Sequence, residues 1–255
     1  IQKLHADLQK QDKSRSTVER VHRVLHNALN QALAWGYIHR NVASVVHPPT
    51  PQAHKLRTLT PEQVRRLLDT ARGTRWEALL MLAIATGMRQ GELLGLKWED
   101  IDFEMGTLRV QRQLAKGRVF TEPKTRTARR AINLPRTTVA VLQAHRQRQR
   151  QERQSVGTDW ADQDLVFCTH QGTPLNARNV IRDFKILLER ARLPDIRFHD
   201  LRHTAATLML LQGVAAKVVQ GRLGHSQISL TLDTYSHLLP TMDREAANAL
   251  DELLR

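Results

Sequence analysis

The stretch "RWEALLMLAIATGMRQGELLGL", residues 75–96, decides the fold class. Its first half is almost entirely apolar, so it predicts a helix buried on all sides that ends at Gly87. Arg89 follows at the start of a second helix, where the unpaired backbone N–H groups favour anions. Glu92, three residues later, is placed to pair with Arg89 and to orient its guanidinium group. The stretch therefore predicts a helical core that ends beside a cationic side chain.

Helical patterns continue on both sides of this stretch. Apolar residues recur at helical spacing in residues 16–38, where Ser16 is the predicted cap, with Glu19 completing a capping box. The same spacing places Tyr37 on the apolar stripe, and we interpret it as a packing residue. A further helix is predicted to begin with Thr60 as cap and Pro61 at its first position.

The pattern changes to β between residues 107 and 135. Short segments there alternate or are rich in β-formers, and Gly106 and Gly117 are the predicted turn residues. Helical patterns resume at residues 136–154 and 176–193. We therefore predict a mainly α fold with one small antiparallel β-sheet, in the α+β class.

The charge of the chain indicates a polyanionic partner. The 255 residues carry a formal net charge of +14, and the isoelectric point is about 10.9. Residues 1–57 hold 9 Lys and Arg against 3 Asp and Glu, and residues 109–154 hold 13 against 2. Two basic segments on a nearly neutral body favour nucleic acid first, and an acidic membrane surface second.

Cysteine content and hydropathy favour a cytoplasmic location. The one cysteine, Cys168, excludes an internal disulfide framework, and its apolar surroundings predict a buried strand residue. No apolar run reaches the ~20 residues of a membrane span, and no signal peptide is visible. Because the chain begins at Ile1 within a helical pattern, we expect it to be a fragment of a longer protein.

Candidate phosphate ligands converge on the stretch "HDLRHTAATLMLLQG", residues 199–213. His199 and Arg202 lie three residues apart, so on a helix they share one face and can address one anion. Together with Arg89 they supply two guanidinium groups and an imidazole, which suit the charge of a pentacoordinate phosphoryl transition state.

The stretch "LGHSQISLTLDTYSH", residues 223–237, supplies a candidate nucleophile. Tyr235 is a phenol that needs a cationic setting or a neighbouring base to attack at neutral pH. His225, ten residues earlier, is a candidate to orient a phosphate or to carry a proton. Lys124, in the loop "PKTRTAR", is a candidate general acid for the departing oxygen. These groups require no metal and no cofactor, and no nucleotide-binding "GxxxxGK[ST]" motif is present.

Four motifs together resemble one known family. Residues 59–239 resemble the catalytic domain of the tyrosine recombinases, the phage-integrase family. The motifs occur in the family's order: "TGMRQGELLGLKWEDID", "PKTRTARRAINLP", "HDLRHTAAT" and "LGHSQISLTLDTYSHL". Because four separate motifs match over most of the chain, the resemblance is far more specific than any one of them.

The resemblance assigns a role to each candidate residue. Arg89 and Arg202 are implied to be the paired phosphate arginines, and His199 the partner of the second. His225 is implied to be the last phosphate ligand, and Glu92 the carboxylate that braces the first arginine.

The remaining two residues are implied to perform the chemistry. Lys124 is implied to be the general acid on a hairpin, and Tyr235 the nucleophile that becomes joined to a 3′ phosphate.

The resemblance also implies a domain organisation. Residues 1–47 are expected to form part of a SAM-like helical core-binding domain, residues 48–58 a linker, and residues 59–239 the catalytic domain. Residues 240–255 are expected to form a helix, with a stripe of apolar side chains, that docks onto a neighbouring protomer.

The implied activity is site-specific cleavage and rejoining of double-stranded DNA, integrating or excising a phage or mobile element. The implied assembly is a homotetramer in the synaptic complex, with a monomer when free. Accessory DNA-bending or directionality factors are possible partners. We expect a cytoplasmic protein that associates with the nucleoid when bound to DNA.

Two other functions and one other site remain open from the residues. A type IB topoisomerase-like relaxing enzyme shares the chemistry, and a DNA-binding protein without catalysis shares the charge. His199 and His203 lie four apart, as in a zinc-protease helix, but the residue after the first histidine is Asp200 rather than Glu. Arg202 between them also opposes a bound cation.

Overall fold

A computed structural model describes residues 1–50, 57–122 and 129–224, together with Asp251 and Leu254. The chain divides into two compact units, Ile1–Lys55 and Leu56–Arg255. In the described ranges, no helix has the length and apolar character needed to cross a membrane.

The described part of the first unit, residues 1–50, contains two helices and a short 3-10 turn. Helix α1 covers Gln2–Lys10, α2 covers Arg15–Ala34, and the turn covers Val42–Val45. The predicted cap of α2 was wrong by two residues, because the side chain of Ser14, not Ser16, accepts a hydrogen bond from the backbone N–H of Thr17 at 3.2 Å. Both serines suit the cap, and the earlier one starts the helix sooner, so more residues gain backbone hydrogen bonds.

Tyr37 does not pack as predicted. Its side chain is 78% exposed and makes an edge contact with Trp35, which is itself 65% exposed. Helix α2 ends at Ala34. The helical spacing that placed Tyr37 on the apolar face therefore no longer applies at that position.

The second unit is built mainly of helices. Thr60 caps the first of them through a capping box with Gln63, and Pro61 occupies its first position, as predicted. The described helices of this unit are α3 (Pro61–Ala71), α4 (Glu77–Thr86), α5 (Gln90–Leu94), α6 (Arg136–Val156), α7 (Ala177–Arg190), α8 (Asp200–Leu211) and α9 (Ala216–Leu223).

Helix α4 lies at the centre of this unit. It packs against α6 and α8, which explains why its sequence is apolar on every side. Leu79, Leu80 and Leu82 are at most 1% exposed. The helix ends at Gly87, as predicted, with a left-handed φ of 64°. The C-terminal end of the core helix α4 is therefore followed directly by the loop that carries Arg89.

In the described ranges the β-structure forms two small antiparallel sheets, whereas one was predicted. Strands β1 (Ile101–Asp102), β2 (Thr107–Val110) and β5 (Arg130–Asn133) form the first, in the order β1-β2-β5; β3 (Gln113–Leu114) pairs with β4 (Phe120–Thr121). The chain leaves the first sheet after β2 because β3 lies against α5. A Cβ atom at Gly95 would lie 2.9 Å from the backbone nitrogen of Leu114. The fold class, mainly α with minor antiparallel β-structure, is confirmed.

One large hydrophobic core joins α3–α8 with the three-stranded sheet, and a smaller cluster lies between α8 and α9. Cys168 is buried, as predicted, but it forms only an isolated bridge with Pro174 and is not part of either sheet. Burial raises the pKa of its thiol to about 11, so Cys168 is a packing residue.

Candidate active site

The end of α4 is the point around which the candidate site is built. Arg202, on α8, is only 4% exposed, and its Nη1 donates a hydrogen bond to the carbonyl oxygen of Gly87 at 2.8 Å. A Cβ atom at Gly87 would lie 2.4 Å from a methyl carbon of Leu223 on α9. Glycine at this position therefore allows α4, α8 and α9 to meet, and the carbonyl that holds Arg202 lies two residues before Arg89 in the chain.

Arg89 is held in one orientation from two sides. Its backbone N–H donates to Glu92 Oε2 at 3.0 Å, and its Nη1 donates to Glu92 Oε1 at 2.8 Å. Its Nη2 lies 3.5 Å from the carbonyl oxygen of Gly224, the last residue described before the segment that contains His225. The side chain is 39% exposed, so part of the guanidinium group stays accessible to an anion.

Glu92 is a buried carboxylate that serves two arginines. It is 2% exposed, and besides Arg89 it accepts a hydrogen bond from Nη2 of Arg130 at 2.9 Å. Burial alone would raise the pKa of Glu92, but the hydrogen bonds and charges of Arg130 and Arg89 outweigh it and hold the pKa below its usual value. Glu92 therefore stays ionised and fixes both guanidinium groups.

Sequence reasoning did not identify Arg130 as a site residue. Its side chain is 7% exposed, and its Nε donates to the carbonyl oxygen of Arg222 at 2.6 Å. In the other direction, Nη2 of Arg222 donates to the carbonyl oxygens of Asn133 at 3.2 Å and Ala85 at 3.1 Å. A signal was available, because Arg130 lies two residues before the buried Ile132 and so shares its face of β5.

The start of α8 is fixed by a second ion pair. Asp200, which is 1% exposed, accepts hydrogen bonds from the backbone N–H and the guanidinium group of Arg197, both at 2.8 Å. Burial opposes ionisation, but these hydrogen bonds and the charge of Arg197 outweigh it and lower the pKa of Asp200. The pair holds the first turn of α8, from which His199 and Arg202 extend.

His199 and His203 stay neutral near neutral pH. Desolvation lowers the pKa of His199, and the charges of Arg202, Arg197 and Arg89 lower it further. Burial and the neighbouring His199 ring lower the pKa of His203 to about 4. The two rings meet edge to face, with centroids 5.3 Å apart. Two of these cations meet at the Gly87 loop, because Arg202 bonds to the Gly87 carbonyl and Arg89 follows two residues later; His199 therefore lies near both.

The described residues do not provide a set of metal ligands around His199 and His203. Across residues 1–50, 57–122 and 129–224, no three His, Cys, Asp or Glu side chains are grouped to hold a metal ion. Asp200, the carboxylate between the two histidines in sequence, is occupied by Arg197.

The structure describes four of the seven predicted site residues. Arg89, Glu92, His199 and Arg202 lie around the end of α4, as detailed above. Lys124, His225 and Tyr235 lie outside the described residues.

The described arrangement is suited to binding an oxyanion. One guanidinium group is partly exposed, a second is buried with one N–H fixed to a carbonyl, and a neutral imidazole lies near both. Fixed guanidinium groups match the oxygens of a phosphate, and they need little reorganisation when negative charge develops there.

The sequence of this chain is similar to that of known integrases and recombinases. The phage integrase family model matches residues 57–242. The chain is 35% identical, over 99% of its length, to a Caldanaerobacter subterraneus subsp. tengcongensis protein named tyrosine recombinase XerC-like, and it covers 70% of that protein. It is 26% identical, over 92% of its length, to an integrase of Saccharopolyspora erythraea, and it covers 66% of that integrase.

The fold is similar to that of a solved transposon integrase. The Tn1549 integrase, solved in complex with a circular intermediate DNA, superposes with a TM-score of 0.81 at 22% identity. The match covers 96% of this chain and 83% of that one. At this identity the similarity concerns the fold alone.

Proposed function

This chain belongs to the phage integrase family of tyrosine-type site-specific recombinases, and on that premise we propose that it cleaves and rejoins double-stranded DNA through a 3′-phosphotyrosine intermediate. The observation that carries the proposal is the convergence of Arg89 and Arg202 on the Gly87 loop, with Glu92 holding the first and the Gly87 carbonyl holding the second.

The proposed reaction is an in-line exchange at phosphorus. The phenol of Tyr235 gives its proton to a neighbouring base, for which His225 is the candidate, as its oxygen attacks the scissile phosphate; a P–O bond to tyrosine forms, and the P–O5′ bond breaks. Lys124 gives a proton to the departing 5′ oxygen. The reverse step uses the 5′ hydroxyl of another strand, which displaces tyrosine and rejoins the DNA. Because the phosphotyrosine keeps the bond energy, no nucleotide is consumed.

The phosphate ligands supply the positive charge that this transition state needs. Arg89, Arg202, His199 and His225 are proposed to surround the nonbridging oxygens. Arg202 is almost fully buried and Arg89 is held by Glu92, so both guanidinium groups are in place before the substrate arrives. On this account the two arginines do the work that a divalent cation does in other phosphoryl transfer sites.

We propose the domain roles as follows. Residues 1–47 form part of a core-binding domain on the DNA, residues 59–239 form the catalytic domain, and residues 240–255 dock onto a neighbouring protomer in a synaptic homotetramer. The integrase names of the relatives support a role in integrating or excising a mobile element.

A suicide-substrate assay tests the proposed chemistry. The protein is incubated in EDTA with a duplex that carries its site and a nick just past the cleavage position, and the products are run on a denaturing gel. We expect a covalent protein–DNA band for the wild type and none for Tyr235→Phe. A band that persists in Tyr235→Phe, or one that appears only with a divalent metal, contradicts the proposal.

A leaving-group substitution tests the role of Lys124. We expect Lys124→Ala to slow cleavage of a normal 5′-oxygen substrate strongly and cleavage of a 5′-thiol substrate much less, because a thiolate leaves without a proton. Equal slowing of both substrates would remove Lys124 from the acid role.

The same substrates separate the competing functions. A recombinase transfers the cleaved strand to a second duplex, so a labelled acceptor duplex becomes joined to the donor. A relaxing enzyme forms the covalent complex but reseals the original strand, and a DNA-binding protein without catalysis forms no covalent complex.

A further inference from the structure

Arg130 is the residue through which three parts of the proposed site are connected. We propose that Arg130 is a positioning residue that couples the carboxylate holding Arg89 to the backbone of α9 and to strand β5. The inference rests on the proposed function, because its consequence is measured on DNA cleavage. Arg130 lies in β5, which pairs with β2 and also contacts α9.

The first connection is to Arg89 through a shared carboxylate. Oε1 of Glu92 accepts from Arg89 Nη1 at 2.8 Å, and Oε2 accepts from Arg130 Nη2 at 2.9 Å. The side chains of Glu92 and Arg130 are 3% and 7% exposed, whereas the side chain of Arg89 is 39% exposed. The partly exposed Arg89 is thus held by the buried pair of Glu92 and Arg130, and breaking that pair would leave an uncompensated buried charge.

The second connection is to α9. Nε of Arg130 donates to the carbonyl oxygen of Arg222 at 2.6 Å, near the end of that helix and two residues before Gly224. In the opposite direction, Nη2 of Arg222 on α9 donates a hydrogen bond to the carbonyl oxygen of Asn133 in β5. The strand and the helix are therefore joined by two arginine–carbonyl contacts in opposite directions, next to the Gly224 carbonyl that faces Arg89.

Only arginine can make both connections at once. Its guanidinium group donates from Nε in one direction and from Nη2 in another, within one rigid plane, whereas a lysine ammonium is a point charge on a flexible stem. Lysine at position 130 keeps the charge beside Glu92, but it cannot hold α9 in the same geometry. The two functions of Arg130 can therefore be separated by substitution.

Removing the positive charge of Arg130 should change how cleavage depends on pH, whereas a packing defect alone would not. Among the described residues, the charged groups that act on Glu92 are Arg89, at the N-terminal cap of α5, and Arg130 on β5. Without Arg130, the buried carboxylate keeps one cation, so burial raises its pKa towards neutrality. Protonated Glu92 no longer holds Arg89 as an ion pair, and cleavage by the variant should fall relative to the wild type as the pH is lowered.

The test compares single-turnover formation of the covalent complex in Arg130→Met, Arg130→Lys and Arg129→Met between pH 6 and 8. Arg129 is the matched control, because it is the adjacent arginine and its ion pair with Glu122 is exposed. The affinity for uncleaved DNA is measured in parallel with Tyr235→Phe in each background. Thermal melting records whether each variant folds.

We expect Arg130→Met to bind DNA within about twofold of the control but to cleave about 100-fold more slowly, since small displacements of a catalytic group have effects of this size. Its rate relative to the wild type should fall further from pH 8 to pH 6. Arg130→Lys should be slower than the wild type by about tenfold, with a ratio that does not change with pH. If Arg130→Met does not fold, the Arg130→Lys result decides.

Three results would overturn the inference. Arg130→Met or Arg130→Lys cleaving at the rate of Arg129→Met shows that position 130 does not position the site. A loss of DNA affinity as large as the loss of rate shows that Arg130 contacts DNA instead. An Arg130→Met rate that is low but keeps the wild-type pH profile shows a general structural role. If the wild type itself forms no covalent complex, the proposed function fails first, and the inference fails with it.

Discussion

At the scale of single residues, the described part of the site is governed by buried charges that are compensated. Glu92 and Asp200 are almost fully buried, and each is ionised because arginine faces it, Arg130 and Arg89 at Glu92 and Arg197 at Asp200. An uncompensated charge in such a place is costly, so each carboxylate fixes the arginine that it pairs with. The candidate phosphate ligands are therefore oriented by the folded protein before any phosphate binds.

The first prediction concerns His203, whose pKa is lowered to about 4. An unfolded histidine titrates near 6.5, so the unfolded state binds the proton more readily than the folded state between these values. The contribution of neutral His203 to the free energy of unfolding is therefore complete above pH 6.5, and it is lost as the pH falls from there towards 4. We expect the free energy of unfolding, measured in urea, to decrease over this range.

The control for this prediction is His203→Gln, which removes the titrating group. Its free energy of unfolding should depend less on pH over the same range. An unchanged pH dependence in His203→Gln, or an NMR titration of the His203 ring near 6.5, would contradict the assignment of a half-buried neutral imidazole.

Residue-scale prediction succeeded where partners are close in sequence. The ion pair between Arg89 and Glu92 follows from a spacing of three at a helix start, and it is present. Arg130 is 38 residues from Glu92 and 92 from Arg222. No local spacing brings such residues together, and their contacts depend on how β5 packs against α5 and α9.

At the scale of elements, the junction of α4, α8 and α9 positions the candidate site. Gly87 ends α4 in the left-handed region, lies against Leu223, and its carbonyl oxygen accepts from Arg202. Gly87 therefore takes part in three structural features, and substituting it should affect both the stability of the protein and the geometry of the candidate site.

The second prediction compares Gly87→Ala with Gly213→Ala. Both glycines have a positive φ, 64° and 73°, but a Cβ at Gly213 meets nothing within 4 Å, whereas one at Gly87 lies 2.4 Å from Leu223. We expect Gly213→Ala to cost about 1 kcal/mol for its backbone conformation. Gly87→Ala should cost about 1–3 kcal/mol more, from overpacking.

Urea unfolding of the two variants checks this difference. Gly87→Ala should also slow formation of the covalent complex, because the contact with Leu223 lies next to the loop that holds Arg202 and carries Arg89. Equal stability of the two variants would show that Leu223 moves aside without cost.

Element boundaries followed the sequence where one strong local signal existed. The cap at Thr60 and the end of α4 at Gly87 were predicted correctly, because a threonine followed by proline and an apolar run that stops at glycine are strong local signals. The cap of α2 and the packing of Tyr37 were wrong. Two serines compete for that cap, and Tyr37 lies beyond the end of the helix whose period was extended to it.

At the scale of the whole molecule, the dominant property is positive charge. The chain carries 39 Lys and Arg against 25 Asp and Glu. Several of the arginines in the described ranges are already paired with carboxylates, as at Glu92, Glu99 and Asp200. The fold class and the polyanionic partner follow from composition and periodicity, whereas the pairing of individual cations required coordinates.

The third prediction is that DNA binding depends steeply on salt. If the basic segments neutralise about 6–10 phosphates, affinity should fall about 10³–10⁵-fold between 50 and 200 mM salt. Fluorescence anisotropy with a labelled site duplex measures the slope. A loss of less than about tenfold over this range would show that few of the cations contact phosphates.

The most direct test of the central claim is to locate the covalent bond. The wild-type protein is trapped on the nicked duplex, the DNA is digested to a single nucleotide, and the adduct is mapped by peptide mass spectrometry. The account predicts one modified residue, Tyr235, carrying a nucleotide through its 3′ phosphate. A nucleotide attached to any other residue, or attached through a 5′ phosphate, would contradict it.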